Sequence, residues 1–343
     1  MCSKLTSCAA VILTAAACSH PMKQIKISQL PPIPDAAYAK GVSAPFCGVI
    51  GETLIVAGGA NFPDKPLLEG GAKRVYADIW AFDGDQWNHA GVLPDSTAYG
   101  ATFQVSDGLV FAGGNVCGST TDKVYKVQLA DGKAVVSPLP ALPVPMEQCG
   151  WTKAGENLFL AGQEGVFSCK EGEYLWQKLS DVPEPLVQPV AFAAEGKLFL
   201  WGGFNPGTLL APDSGHCLDL ESLQWGSAPA IPDGGTFVGA AGATLPDGRL
   251  VVVGGVNRAI FERALRNTPE DRIPYLSKEP GEYKFRREVF LFQAHSRRWE
   301  SLGECPQAAL AGPGVAVSNE LVYVVGGEIK PGVRSPLVFK LFY

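Results

Sequence analysis

The chain lacks the patterns that hold a metal ion or grip a nucleic acid. Beyond residue 24 its cysteines are Cys47, Cys117, Cys149, Cys169, Cys217 and Cys305, with no C-x-x-C pair and no cluster with histidine at ligand spacing. A zinc site is therefore not expected, nor any other metal or cofactor. Basic charge is also short: 28 Lys and Arg stand against 34 Asp and Glu, for a net charge of −6 and a pI near 5.4. No basic stripe interleaved with aromatics appears, which excludes nucleic acid as a partner. Long apolar runs are missing too. The one candidate, Leu5 to Ala17, is 13 residues long and too short to cross a bilayer.

That run reads instead as the h-region of a secretory signal over residues 1–17, with Ala15-Ala16-Ala17 as a small-residue cleavage site. Cys18 follows directly, the +1 position where bacterial lipoproteins receive lipid, although Ala15 stands where leucine is usual at −3. The expectation is an exported protein, periplasmic or anchored as an outer-membrane lipoprotein through Cys18, with a short linker over 18–24. The scattered cysteines are expected to be buried as small apolar side chains rather than bridged.

What is present is repetition. Short apolar runs close on Gly-Gly in LIVAGG (54–59), LVFAGG (109–114), LFLWGG (198–203), LVVVGG (250–255) and VYVVGG (322–327). A sixth copy, LFLAGQ (158–163), replaces the second glycine with Gln163. A period near 50 with such a strand in each unit marks an array of small sheets. Hairpin signals such as Gly51-Glu52, Asp107-Gly108 and Glu195-Gly196 precede the runs. A third strand follows each, then Trp87, Trp176, Trp225 or Trp299 and a Pro-containing exit. The pattern resembles the kelch repeat, which implies an all-β, six-bladed β-propeller with each Trp packed between blades. The last unit ends at its third strand, VFKLFY (338–343), so the N-terminal IKISQLPPIP (25–34) is expected to supply the fourth and close the ring. Residues 25–343 then form one domain.

Two connections after a doublet are enlarged, Ala60 to Val75 and Val256 to Arg287. Both should open on one face and frame a pocket. The 256–287 insertion, or an exposed outer strand, also offers a surface for a homodimer. Positions just after the doublets should point into the channel mouth: Asn115, Glu164 and Glu328, with Asn61, Asn205 and Asn257 one residue further where the loops shift. Amides with one or two carboxylates suit a polyhydroxylated ligand, although Asn after Gly-Gly also simply serves a turn. In GGEIKPGVR (326–334) the Pro331-Gly332 turn should fold Arg334 back beside Glu328.

The segments GGANF (58–62), GGVNRAIF (254–261), EYKFRREVFLF (282–292), GECPQAALAGPG (303–314) and GGEIKPGVR (326–334) resemble the sialic acid mutarotases, or N-acetylneuraminate epimerases. The blade order resembles a cyclically permuted branch of that family. The resemblance implies conversion of α- to β-N-acetylneuraminate by acid/base ring opening, without a cofactor. Glu328 is then the proton acceptor and Arg334 a member of the same active site. Arg334, helped by Arg258, is expected to hold the C1 carboxylate in a bidentate grip. Glu164, on blade position alone, or a water serves as the acid. The main alternative is a non-catalytic carbohydrate- or protein-binding kelch propeller. A copper oxidase lacks its paired histidines here, and a sialidase its repeated Ser-x-Asp-x-Gly-x-x-Trp turn.

Overall fold

The computed structural model describes residues 25–319 and 321–343. The export signal, the linker and Cys18 lie outside the described residues. Among those described, six four-stranded antiparallel sheets account for the repeats. Sheet one runs Phe46–Ile50, Thr53–Ala57, Asp78–Phe82 and Trp87–Val92, each strand paired with the next. Sheets two to five follow the same order and begin with the strands Ala101–Val105, Gly150–Ala154, Val187–Ala194 and Ala240–Thr244. Sheet six consists of Gly314–Ser318, Leu321–Val325, Val338–Phe342 and, from the other end of the chain, Ile27–Leu30. Ile27 pairs with Leu341 and Leu30 with Val338.

The second strand of a sheet is apolar throughout because it is covered on both faces. Gly108–Ala112 is buried at every residue, so the alternation of a one-sided strand is absent. Apolar clusters lie between successive sheets. Phe46, Ile55 and Ile79 of sheet one meet Leu109, Phe111 and Val127 of sheet two. Val49, Val56 and Trp80 share another with Ala316, Tyr323 and Val338 of sheet six. Burying one such side chain contributes roughly 1.5–3 kcal/mol. The four tryptophans pack between sheets as expected. Trp87 Nε1 donates to the Pro31 carbonyl at 2.7 Å and Trp225 Nε1 to the Asp181 carbonyl at 2.9 Å, whereas among the described residues Nε1 of Trp176 and of Trp299 is buried without a partner.

The doublets mark the point where a strand leaves its sheet against the backbone entering the next. Gly58 has φ +63°, and a Cβ there would lie 2.1 Å from the Thr97 carbonyl oxygen. At Gly326, φ +61°, the clash would be with Val42 at 2.2 Å. Only glycine fits this combination. Sheet three omits the exit. Its second strand turns through Gln163-Glu164 directly into the third, with Gly162 paired to Gly165, so no second glycine is needed.

At the hairpin end the six innermost strands line a 480 Å³ cavity, each contributing one of Cys47, Thr102, Thr152, Ala191, Ala243 and Ala316. At the doublet end they carry a ring of six left-handed residues, five of its neighbouring pairs joined by backbone hydrogen bonds: Ala44, Tyr99, Gln148, Gln188, Gly239 and Gly312, with φ between 51° and 69°. Ala44 N–H donates to Gly312 O, Tyr99 to Ala44, Gln148 to Tyr99, Gln188 to Gln148, and Gly312 to Gly239, at 2.7–3.0 Å.

Both enlarged connections rise above this ring. The 256–287 insertion contains helices α1 (Arg258–Leu265) and α2 (Pro269–Leu276). It is anchored by Tyr283, fully buried with Phe285 and Ala311. The 60–75 connection packs Leu67 against Gly332, where a Cβ would stand 2.4 Å from the leucine Cβ. Among the described residues the cysteines are unpaired, and all are buried except Cys117, which is exposed and so departs from the expectation. Burial pushes the Cys149 and Cys169 thiols up to about 12, which makes them inert.

Candidate functional site

The Pro331-Gly332 turn folds the chain back as expected, and Glu328 pairs across the short ribbon with Arg334. Glu328 is fastened by its own backbone, which exchanges two hydrogen bonds with Ala311 at 2.7 and 2.9 Å. That contact sets it beside Gly312, on the half of the ring with no side chain larger than a methyl.

The carboxylate of Glu328 forms an ion pair with Arg334 Nη1. Its side chain keeps 27% exposure, whereas that of Arg334 keeps 2%. Burial raises the Glu328 carboxyl above its ordinary value, against the opposing pull of Arg334, a hydrogen bond from the Gly332 backbone and the charge of Lys73. The outcome is a carboxylate of increased basicity held in one orientation. Tyr275 of α2 feels the same charge: burial, then Tyr283, then Glu328 push its phenol up to about 12. It stays protonated at neutral pH, a hydrogen-bond donor.

Arg334 is more committed than its sequence position suggested. Its Nε donates to the Ala60 carbonyl at 3.2 Å, Nη1 serves Glu328, and the guanidinium lies 5.0 Å over the Phe62 ring. A bidentate grip on a ligand carboxylate is not available from this arrangement. Among the described residues, Lys73 is a cation with no ion pair that acts on Glu328 through space; it is exposed and sits 4.9 Å over the Tyr99 ring.

The asparagines resolve into structural roles. Asn61 is buried, with Nδ2 donating to Ala37 and Gly41 at 2.8 Å and Oδ1 accepting from the Tyr76 hydroxyl at 2.7 Å. Both donors are spent, and the remaining lone pair of Oδ1 is buried away from a ligand. Asn257 caps α1 by accepting from Ile260 N–H at 3.1 Å, and Asn205 closes a turn onto Gly207. Asn115 accepts from Gly118 N–H and donates to Glu147, yet it also lines an open cleft of 580 Å³ with Lys73, Tyr99, Glu147 and Gln148. Arg258 is paired with Asp213 at 2.7 Å and Glu262 at 3.3 Å. It lines a cleft separate from that of Asn115 and Lys73, and neither Glu328 nor Arg334 is among the lining residues of either cleft. Glu164 stands in the two-residue turn of sheet three rather than in a loop, with Oε1 accepting from Gln163 and Oε2 buried without a partner.

The model of a family described as N-acetylneuraminate epimerase matches residues 12–136 and 139–341, nearly the whole chain. This chain belongs to the N-acetylneuraminate epimerase family. Among curated relatives, the N-acetylneuraminate epimerase of Yersinia pestis (strain Pestoides F) is 29% identical over 224 residues, 59% of this chain and 56% of the relative. That of Haemophilus influenzae (strain PittEE) is 26% identical over 215 residues, 57% of each chain. The chain thus spans little more than half the length of the curated relatives it matches. In backbone, it is similar to a solved structure described as "Structure of YjhT", with TM-score 0.60 and 14% identity over 92% of this chain and 95% of that one.

Around the Glu328–Arg334 pair, sequence reasoning missed Lys73 and Tyr275, and along the same face it missed Tyr99, Gln148 and Gln188. Lys73 had a signal, since it lies in an enlarged connection. Tyr99 and Gln148 precede innermost strands and Gln188 is the second residue of one, where no motif flags them, and Tyr275 belongs to α2.

Proposed function

We propose that this chain interconverts the anomers of N-acetylneuraminate by acid/base opening of the pyranose ring, on the doublet face of a closed, six-bladed kelch-type propeller. The fold part is supported by the six sheets, by the pairing of Ile27–Leu30 with Val338–Phe342, and by apolar contact between sheets six and one. Family membership supports the sugar. The observation that carries the chemistry is Glu328, partly buried, with raised basicity, and immobilised by Arg334 at the channel mouth.

In this reading Glu328 takes the proton of the anomeric hydroxyl while the ring C–O bond breaks. The ring oxygen gains a proton, and the open keto form rotates about C2–C3 before reclosing on its other face. One positioned base contributes about 10²–10⁴-fold. Arg334 orients Glu328 and stabilises its ionised form rather than holding the substrate. Lys73 is the cation left for the C1 carboxylate, and the Tyr275 phenol is a neutral donor close enough to feel the Glu328 charge.

The test is time-resolved proton NMR of α-N-acetylneuraminate released in situ by a sialidase. The C3 protons report each anomer, and β-anomer formation faster than the uncatalysed rate is the expected result. A rate equal to the blank, with the sugar still bound, would return the chain to the class of non-catalytic binding propellers. The export reading belongs to the same proposal: residues 1–17 direct secretion to the periplasm, and Cys18 carries a lipid. Cys18→Ser should then move the protein from the membrane fraction to the soluble one.

A further inference from the structure

The ring of left-handed residues at the channel mouth is uneven. Sheets five, six and one place Gly239, Gly312 and Ala44 on it, whereas sheets two, three and four place Tyr99, Gln148 and Gln188. The conformation is one that glycine adopts freely and glutamine does not. The first three positions carry two glycines and an alanine, with no polar side chain. Two adjacent glutamines at φ +52° and +61° are side chains kept at a conformational cost, and such positions cluster at ligand sites.

The two amides face each other. Gln188 Nε2 donates to Gln148 Oε1 at 2.7 Å, which leaves the Gln148 amino group as donor and the Gln188 carbonyl as acceptor. Both residues are only partly buried, and Gln148 lines the cleft that holds Lys73 and Tyr99. Backbone bonds of 2.7 and 2.8 Å tie Gln188 to Gln148 and Gln148 to Tyr99, so the pair is rigid. A donor beside an acceptor at fixed spacing matches two neighbouring hydroxyl groups, each of which gives one hydrogen bond and takes another.

We propose that the Gln148–Gln188 amide pair is the specificity-determining contact for a vicinal diol of the substrate, the glycerol tail of a nine-carbon sugar acid. This rests on the proposed function for the identity of the sugar. With the carboxylate on Lys73 and the anomeric hydroxyl at Glu328, the 4-hydroxyl, the acetamido group and the glycerol tail are without an assigned partner, and of these only the tail offers two neighbouring hydroxyls to the donor and acceptor of the amide pair.

The test compares N-acetylneuraminate with its seven-carbon analogue, obtained by periodate truncation of the glycerol tail and released by a sialidase. Wild type and the double variant Gln148→Gly/Gln188→Gly are assayed for anomerisation, for sugar binding by saturation-transfer NMR, and for thermal midpoint. The double variant leaves neither amide without its partner. Wild type should prefer the full-length sugar by about ten-fold or more, as expected for two lost hydrogen bonds. The variant should lose that preference, almost wholly through KM, with a thermal midpoint equal to or above wild type.

A preference that survives in the variant overturns the inference, and so does a wild type that treats both sugars alike. A clear fall in thermal midpoint overturns it as well, because the side chains would then serve the fold. Should wild type catalyse neither reaction, the catalytic reading fails separately. Binding still decides the pair: preferential binding of the full-length sugar, lost in the variant, sustains it, and equal or absent binding rejects it.

Discussion

Two arginines on the doublet face, each in contact with carboxylates, show how burial separates a reactive group from a surface pair. Arg258 keeps 33% of its side chain exposed, and its partners Asp213 and Glu262 keep 48% and 18%. Water competes for every one of those contacts, and an exposed pair contributes no more than about 1 kcal/mol. Arg334 keeps 2%, and a buried carbonyl, an aromatic ring and Glu328 take up its donors and its face. Its carboxylate partner is correspondingly more basic than usual. Equal chemistry in the sequence thus becomes unequal chemistry in the fold, and only the second pair is equipped to move a proton.

That contrast can be broken by substitution. The largest effect is expected from Glu328→Gln, which keeps the shape and an acceptor for Arg334 but removes the base. The catalysed anomerisation rate should fall by about 10²–10⁴-fold with the circular dichroism spectrum unchanged. A variant as fast as wild type would refute the assignment. In wild type the pH profile sharpens the same point. The raised carboxyl must lose its proton to act as base, so kcat/KM should climb with a midpoint above the 4.5 of an ordinary glutamate. Stability should move the other way. The native state keeps this proton to higher pH than the unfolded chain does, so the contribution of Glu328 to stability declines as pH rises from 4.5 through its raised value.

Next in size is Arg334→Met. It leaves Glu328 partly buried without its counter-charge, and breaking one side of such a pair costs on the order of 3 kcal/mol. Chemical denaturation should show this loss, and the midpoint of the pH profile should rise further. An unchanged unfolding curve would mean that the pair is as solvated as that of Arg258. The smallest effect is expected at Arg258→Ala: less than about 1 kcal/mol in stability and under about five-fold in kcat/KM. A larger loss of activity would restore Arg258 to the substrate site and put the Lys73 assignment in doubt.

Much of the scaffold was legible because its causes are local or periodic. Gly-Gly recurs wherever a strand must turn against a neighbouring backbone, the hairpin residues between first and second strands announce each sheet, and Pro331-Gly332 folds Arg334 onto Glu328 within nine residues of chain. The candidate ligand residues were read less well. Asn61 has the residue type of a sugar contact, but its three hydrogen bonds go to Ala37, Gly41 and Tyr76. Asn257 and Asn205 went to a helix cap and a turn, the ordinary uses of asparagine after glycine. Glu164 lost its equivalence when sheet three replaced a loop with a two-residue turn.

The sequence by itself determined the repeat, the strand order within each sheet, the N-terminal segment as the missing strand of the last sheet, and the Glu328–Arg334 ribbon. Each follows from steric and pairing rules that act over a few residues or at a fixed period. Tertiary structure alone decided which polar groups remain free. Lys73, Tyr99, Gln148 and Gln188 come from separate repeats and meet only because backbone bonds run from one repeat to the next at the doublet end. Whether a donor is spent on the protein or left for a ligand depends on every neighbour it acquires on folding, and those neighbours lie far away along the chain.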